Sequence, residues 1–192
     1  MATISSNKTG QEPHERSLNH RDLDHTPDDG NRWELIDGSF FVTPFPTHAH
    51  QEAASELAFH MMSFVRSKGL GKVYTAGLKV VLDEPSGVGP DIVYISCERM
   101  VGMRDDGYYG APDLLVEILS SKPELDRFVK YHKYASAGVP NYWIVDPEHR
   151  TIKEYQLQGS RYQLIAECAG STEFKPVLFP ELTIPLHDLW IN

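Results

Sequence analysis

The sequence predicts a single α/β (α+β) domain built on a mixed β-sheet flanked by helices. Three observations carry this. Ile92-Val93-Tyr94-Ile95, Leu114-Leu115-Val116 and Tyr142-Trp143-Ile144-Val145 are short apolar runs without polar alternation, the pattern of strands covered on both faces. A strand–helix–strand order over 113–119, 123–137 and 141–145 makes two of those strands parallel neighbours or near neighbours. Hairpin signals elsewhere require antiparallel pairs as well.

Taken in order, residues 1–29 are polar and rich in Asp, His, Asn and Thr. They are expected to form a disordered polar leader, with the folded domain spanning 30–192. Three of the nine histidines, His14, His20 and His25, fall there at a spacing that fits no closed metal site. Trp33 to Ile36, Asp37-Gly38, then Phe40 to Val42 reads as a hairpin with an Asp-Gly turn. A helix is expected from about Ala49 to Lys68. Leu57, Met61, Phe64 and Val65 recur at helical spacing, and Gly69 stops it. Val73 to Leu82 reads as strand, broken at Gly77. A turn over 83–89 leads into the strand at Asp91, a loop over 96–111 follows, and the buried strand 113–119 comes next. The second helix, 123–137, opens near Pro123 and ends at Gly138. Beyond the strand at 141–145, Asp146-Pro147 turns the chain into two alternating strands near 151–157 and 161–166. The proline-punctuated segment 174–192 is expected to pack along the surface.

The chain has 192 residues, 41% hydrophobic and 23% charged, ordinary values for a globular domain with a real core. No apolar run approaches the roughly 20 residues that span a bilayer, and no apolar signal segment opens the chain. Cys97 and Cys168, the two cysteines, lie far apart. Zinc and a disulfide framework are thereby disfavoured, and a reducing cytoplasm is the expected compartment. A formal net charge of −9 argues against a broad, non-specific nucleic-acid binder.

Within this pattern two acids are out of place. Glu117 interrupts Leu114 to Leu119, and Asp91 opens Ile92 to Ile95. A carboxylate at such positions must protonate or find a cation. Asp91 shares a strand face with Val93 and Ile95, and Glu117 shares one with Leu115 and Leu119. If those faces coincide, the carboxylates converge on the ligand set of a divalent metal such as Mg²⁺, which activates water for phosphodiester hydrolysis. The plain alternative is a buried ion pair without chemistry. Lys130 is the nearby cation. On an α-helical wheel Leu125, Phe128, Val129 and His132 form the apolar face, and Lys130 lies about 100° or more from its centre. By itself, Asp126–Lys130 therefore reads as a surface i,i+4 bridge. Tyr134 and Trp143 read as core. His48 and His50 read as capping or surface residues, Asp113 as a strand-opening residue and Asp146 as a turn residue.

Pro90-Asp91, with Glu117 inside Pro112-Asp113-Leu114-Leu115-Val116-Glu117-Ile118-Leu119-Ser120, resembles a PD-(D/E)XK nuclease core. The lysine expected two residues after the glutamate is replaced by Leu119. The block Asp126-Arg127 through Lys130, Tyr134, Gly138-Val139-Pro140 and Tyr142-Trp143-Ile144-Val145-Asp146-Pro147 closely resembles the Uma2 family of restriction-endonuclease-like proteins. Glu34 to Gly38 and His50-Gln51 match the same family pattern, and the likeness covers 33–190.

The resemblance implies a restriction-endonuclease-like fold and a Mg²⁺- or Mn²⁺-dependent nuclease. Asp91 and Glu117 would be metal ligands and catalytic residues, and Glu34 a third carboxylate at the metal. Lys130 would be the catalytic lysine, migrated from strand to helix. The expected partner is nucleic acid, DNA before RNA, with no membrane and a homodimer left open. A catalytically inactive nuclease-fold binding or regulatory protein is the alternative, and a hydrolase of a small phosphorylated molecule a third reading.

Overall fold

The computed structural model describes residues 16–120, 123–170 and 172–190. β1 (Arg32–Ile36) and β2 (Ser39–Thr43) form the expected hairpin. Asp37 (φ 49°) and Gly38 (φ 74°) both take positive φ, as a two-residue turn matched to strand twist requires. Helix α1 (His48–Lys68) starts at Thr47, whose side chain accepts the His50 N–H, and stops at Gly69 in the left-handed region. There follow β3 (Gly71–Thr75), β4 (Val80–Asp83), β5 (Ser86–Val88), β6 (Ile92–Ser96), β7 (Met103–Arg104), β8 (Gly107–Tyr109) and β9 (Leu114–Ile118). A π-helix (Leu125–Lys130) runs straight into α2 (Tyr131–Ser136). β10 (Asn141–Asp146), β11 (Thr151–Gln158), β12 (Arg161–Ala169), β13 (Glu173–Phe174) and β14 (Ile184–Pro185) complete the described strands.

The central sheet has the order β12-β11-β10-β9-β6-β3. β9 and β10 are parallel, as the crossover requires, and the other pairs are antiparallel. Its two faces follow the period of two. Ile92, Tyr94, Leu114, Val116, Ile118, Trp143 and Val145 point to one face, against Ala53, Leu57, Ala58, Met61 and Val65 of α1. Val93, Ile95, Leu115, Tyr142 and Ile144 point to the other, where Tyr134, Ala135 and Val139 pack with Ile36, Val80 and Val88.

The last three of these covering residues belong to a second six-stranded sheet, β2-β1-β5-β4-β8-β7. The expected mixed α+β domain stands, and the structure adds this second sheet, which covers much of one face of the first. Gly77 does break the strand expected over 73–82, and the break sends β3 and β4 into different sheets. The segment 174–192, expected along the surface, instead buries Phe174, Phe179, Leu182, Ile184, Leu186 and Leu189 beside α1. Its apolar residues have too much area to leave in water.

The leader expected over 1–29 is corrected for residues 16–29; residues 1–15 lie outside the described residues. A 3-10 turn, His20–His25, is closed by a capping box between Asn19 and Asp22. The buried His20 gives its backbone N–H to the Glu84 carbonyl at 3.0 Å. His20 and Leu23 sit where a side chain on residue 87 would clash, so Gly87 admits them. Docking on the second sheet, rather than apolar periodicity, orders this segment. Among the described residues no helix is long and apolar enough to cross a membrane.

Candidate active site

Continuing the antiparallel register Ile92↔Val116 by one residue sets Asp91 opposite Glu117. Both side chains therefore lie on the face that carries Val93 and Leu115, and both border one cleft. β1 of the second sheet brings Glu34 to the same place, and the helix after β9 brings Lys130. All four side chains are at most 2% exposed.

Lys130 Nζ lies 2.9 Å from Glu34 Oε2, 3.1 Å from Glu117 Oε1 and 3.3 Å from Asp126 Oδ1. It does not face solvent, and the surface-bridge reading of Asp126–Lys130 is corrected. Asp126, Lys130, Lys133 and Tyr134 recur at i, i+4, i+7 and i+8 and so share one helical face, and the buried carboxylates, rather than the apolar residues, decide that this face turns inward. Leu125, Asp126, Lys130, Lys133 and Tyr134 turn inward, while Phe128, expected on the apolar face, is 61% exposed. His132 is exposed too.

Asp91 is held on both oxygens. Arg32 Nη1 lies 2.9 Å from Oδ1, His50 Nε2 lies 3.1 Å from Oδ2, and the Ile118 N–H donates to Oδ2 at 2.8 Å. Burial would raise its pKa, but the His50 hydrogen bond and the Arg32 guanidinium outweigh this and hold it at about 2. Glu117 behaves oppositely. Burial pushes it well above the usual glutamate range, against the pull of Lys130. Burial raises Asp126 as well, again against the pull of Lys130. Burial would lower Lys130, yet Glu117 and Glu34 raise it well above an ordinary lysine. The one ammonium shared by three carboxylates stays charged, and Glu117, raised by burial, is a ready acceptor of a proton or a cation. Tyr134, buried and kept a phenol, donates to Glu117 Oε1 at 2.6 Å. The Gly89 N–H donates to Glu34 Oε1 at 2.9 Å.

The structure thus brings together all four residues named from the sequence, Asp91, Glu117, Lys130 and Glu34. It adds Arg32, His50, Asp126 and Tyr134, which were missed or given other roles. His50 was read as capping or surface, yet it continues the Ala53, Leu57, Met61 stripe of α1 and is buried with it. Arg32 sits two residues before Glu34, on the same strand face. Those spacings were available signals. Trp143 is core, as expected.

Oxygen donors suit Mg²⁺ or Mn²⁺. Fully ionised, Asp91, Glu117, Glu34 and Asp126 outweigh Arg32 and Lys130 by two charges, which a divalent ion balances. Asp91 Oδ1 and Glu34 Oε2 are buried and make no hydrogen bond, only ion pairs. Among the described residues no three His, Cys, Asp or Glu side chains are spaced to close around an ion. A Mg²⁺ site of one or two carboxylates, completed by water and substrate phosphate, does not need three. The residues fit such an ion.

The Uma2 family model, described as "Putative restriction endonuclease", matches residues 20–187. A crystal structure of a protein from Anabaena variabilis, described as "a putative nuclease belonging to DUF820", superposes with a TM-score of 0.68. The two chains are 22% identical over 87% of this chain and 96% of the other, a likeness that shows the fold. Comparison with curated proteins gave no match.

Proposed function

Because the chain belongs to the Uma2 family, whose model spans most of it, we propose that it is a Mg²⁺- or Mn²⁺-dependent phosphodiester hydrolase acting on nucleic acid, DNA before RNA. The observation that carries this reading is the inward turn of Lys130 onto Glu34 and Glu117, on the sheet face that also bears Asp91. Asp91 and Glu117 would hold the ion, with Glu34 as a third carboxylate. When bound, such an ion supplies a water acidic enough to react near neutral pH and positive charge beside the phosphoryl oxygens.

The chain's own groups do the rest. Arg32, His50 and the Ile118 N–H fix the rotation of Asp91 and keep it ionised. Tyr134 fixes Glu117 through one oxygen. Lys130 remains an ammonium, able to orient the attacking water or to stabilise negative charge developing at phosphorus. A metal-titrated cleavage assay on single- and double-stranded DNA and RNA tests the reading. Cleavage should require the ion and vanish in Glu117→Ala. No cleavage of any substrate at millimolar Mg²⁺ or Mn²⁺, or activity that survives the substitution, overturns it.

A second reading, a catalytically inactive nuclease-fold binding or regulatory protein, has its own observation. Lys130 and Arg32 already sit on the carboxylates, and the cleft has room of only about 20 Å³, space for about one water. Nucleic-acid binding without any metal-dependent thermal shift would favour it.

A further inference from the structure

The cleft does not end at the carboxylates. Ser120 borders it and also borders a shallow depression shared by Leu119, Arg127, Asp146 and His149. The last four residues in turn border a half-open cavity of about 460 Å³ between the π-helix and the central sheet. Phe128 and Tyr131 wall it on the helix side, Ile144 and Tyr155 on the sheet side. Three depressions that share lining residues therefore follow one another from Asp91 and Glu117, past Ser120, to an aromatic pocket.

Its groups are arranged rather than loose. Asp146, read from the sequence as a turn residue, is a clamp as well. Its carboxylate, 9% exposed, accepts from Arg127 Nη2 at 2.7 Å, from His149 Nδ1 at 2.9 Å and from the His149 backbone N–H at 3.1 Å. With Nδ1 engaged, the imidazole presents Nε2 outward on a side chain 66% exposed. Tyr131 is pinned by donation to the Tyr162 carbonyl at 3.0 Å. Phe128 stands 61% exposed at the wall, on the side of the helix away from Lys130. Charge inside the cavity is balanced, since Arg127 pairs with Asp146 and Lys153 with Glu167. Such a pocket suits a flat, neutral, hydrogen-bonding body better than a phosphate.

We propose that this cavity seats an unpaired nucleobase of the strand whose phosphate reaches the carboxylate cleft, with Phe128 as stacking surface and Arg127 and His149 as polar partners. The substrate class is then nucleic acid with a single-stranded segment beside the scissile bond. This rests on the nucleic-acid reading above. A base inside a duplex is closed off by its pair and its neighbours. Only a splayed base can enter a concave pocket and stack on an aromatic ring. At a net charge of −9 counterion release contributes little, so base stacking has to carry most of the affinity.

The test is binding in chelator, so that no cleavage intervenes. Fluorescence anisotropy compares an oligothymidylate of about a dozen nucleotides, long enough to cover one binding groove, with a blunt duplex of the same length. The single strand should bind at least about tenfold more tightly, and Phe128→Ala should weaken it by about 5- to 150-fold. Phe128→Trp should retain it, and neither change should move the melting temperature, because the side chain is exposed. Equal affinity for the two forms, indifference to Phe128→Ala, or no binding of either overturns the proposal. Failure of the hydrolase reading is separable. Phe128-dependent single-strand binding without any cleavage removes the chemistry and leaves the pocket. Glu117-dependent cleavage indifferent to Phe128→Ala does the reverse.

Discussion

Replacing Lys130 with methionine isolates what its charge does, since methionine keeps most of the apolar stem and removes only the ammonium. The side chain is 2% exposed, and its Nζ serves Glu34, Glu117 and Asp126 within 3.3 Å. Removing one partner of a buried charge pair costs about 3–5 kcal/mol. A domain of this kind has about 5–15 kcal/mol in all. For 150–250 residues each kcal/mol is worth about 2–4 °C, so Lys130→Met should lower the melting temperature by roughly 6–20 °C. Urea denaturation in chelator gives the free energy directly. Lys130→Met/Glu117→Gln should be less damaged than the two single changes sum to, with a coupling of about 1–3 kcal/mol, because the second change removes one of the stranded charges. Tyr134 keeps a partner in either case. A solvated Asp126–Lys130 bridge would instead be worth about 0.2–0.5 kcal/mol. A loss of that size, or strict additivity, would refute the arrangement on which the candidate site depends.

Mg²⁺ or Mn²⁺ at about 100 times its dissociation constant should add about 2.7 kcal/mol by relieving repulsion between Asp91 and Glu117; a thermal-shift titration should show this in wild type and not in Glu117→Ala, and no shift at millimolar ion would argue for the inactive reading. Deleting residues 1–29 should cost about 1–3 kcal/mol through loss of the buried His20 and its bond to Glu84, and an unchanged melting temperature would show that segment to be dispensable. Glu154 is fully buried, accepts the Val177 N–H at 2.9 Å and the Leu178 N–H at 3.3 Å, and is raised above the ordinary 4.5 by burial, with those bonds opposing. A carboxyl raised in the folded state contributes stability that is fully present below 4.5 and is lost as pH rises through the folded value, so wild type should fall relative to Glu154→Gln as pH increases; a flat difference by urea denaturation would refute this.

The central sheet was legible because burial on both faces leaves a signature no other element shares. Ile92 to Ile95 and Tyr142 to Val145 are unbroken apolar runs, and they are adjacent or near-adjacent strands of one sheet. Of the second sheet, the β1–β2 hairpin was legible from its Asp37-Gly38 turn, but the rest left little mark. β5 has three residues and β7 two, and pairings such as Leu35↔Gly87 join segments far apart in sequence. Asp91 and Glu117 were legible for the reason that makes them costly: a carboxylate in an apolar run is an anomaly. The orientation of Lys130 was not legible, and the helical wheel pointed the wrong way. A wheel assumes that apolar burial decides how a helix turns toward its sheet. Burying Phe128 would gain about 1.5–3 kcal/mol, whereas leaving the buried carboxylates without their ammonium would cost about 3–5 kcal/mol. The larger electrostatic quantity sets the rotation, and the helix face that carries Asp126 and Lys130 also lays Tyr134 on the core. Phe128 is left in water as the consequence, at the wall of the pocket it is proposed to serve.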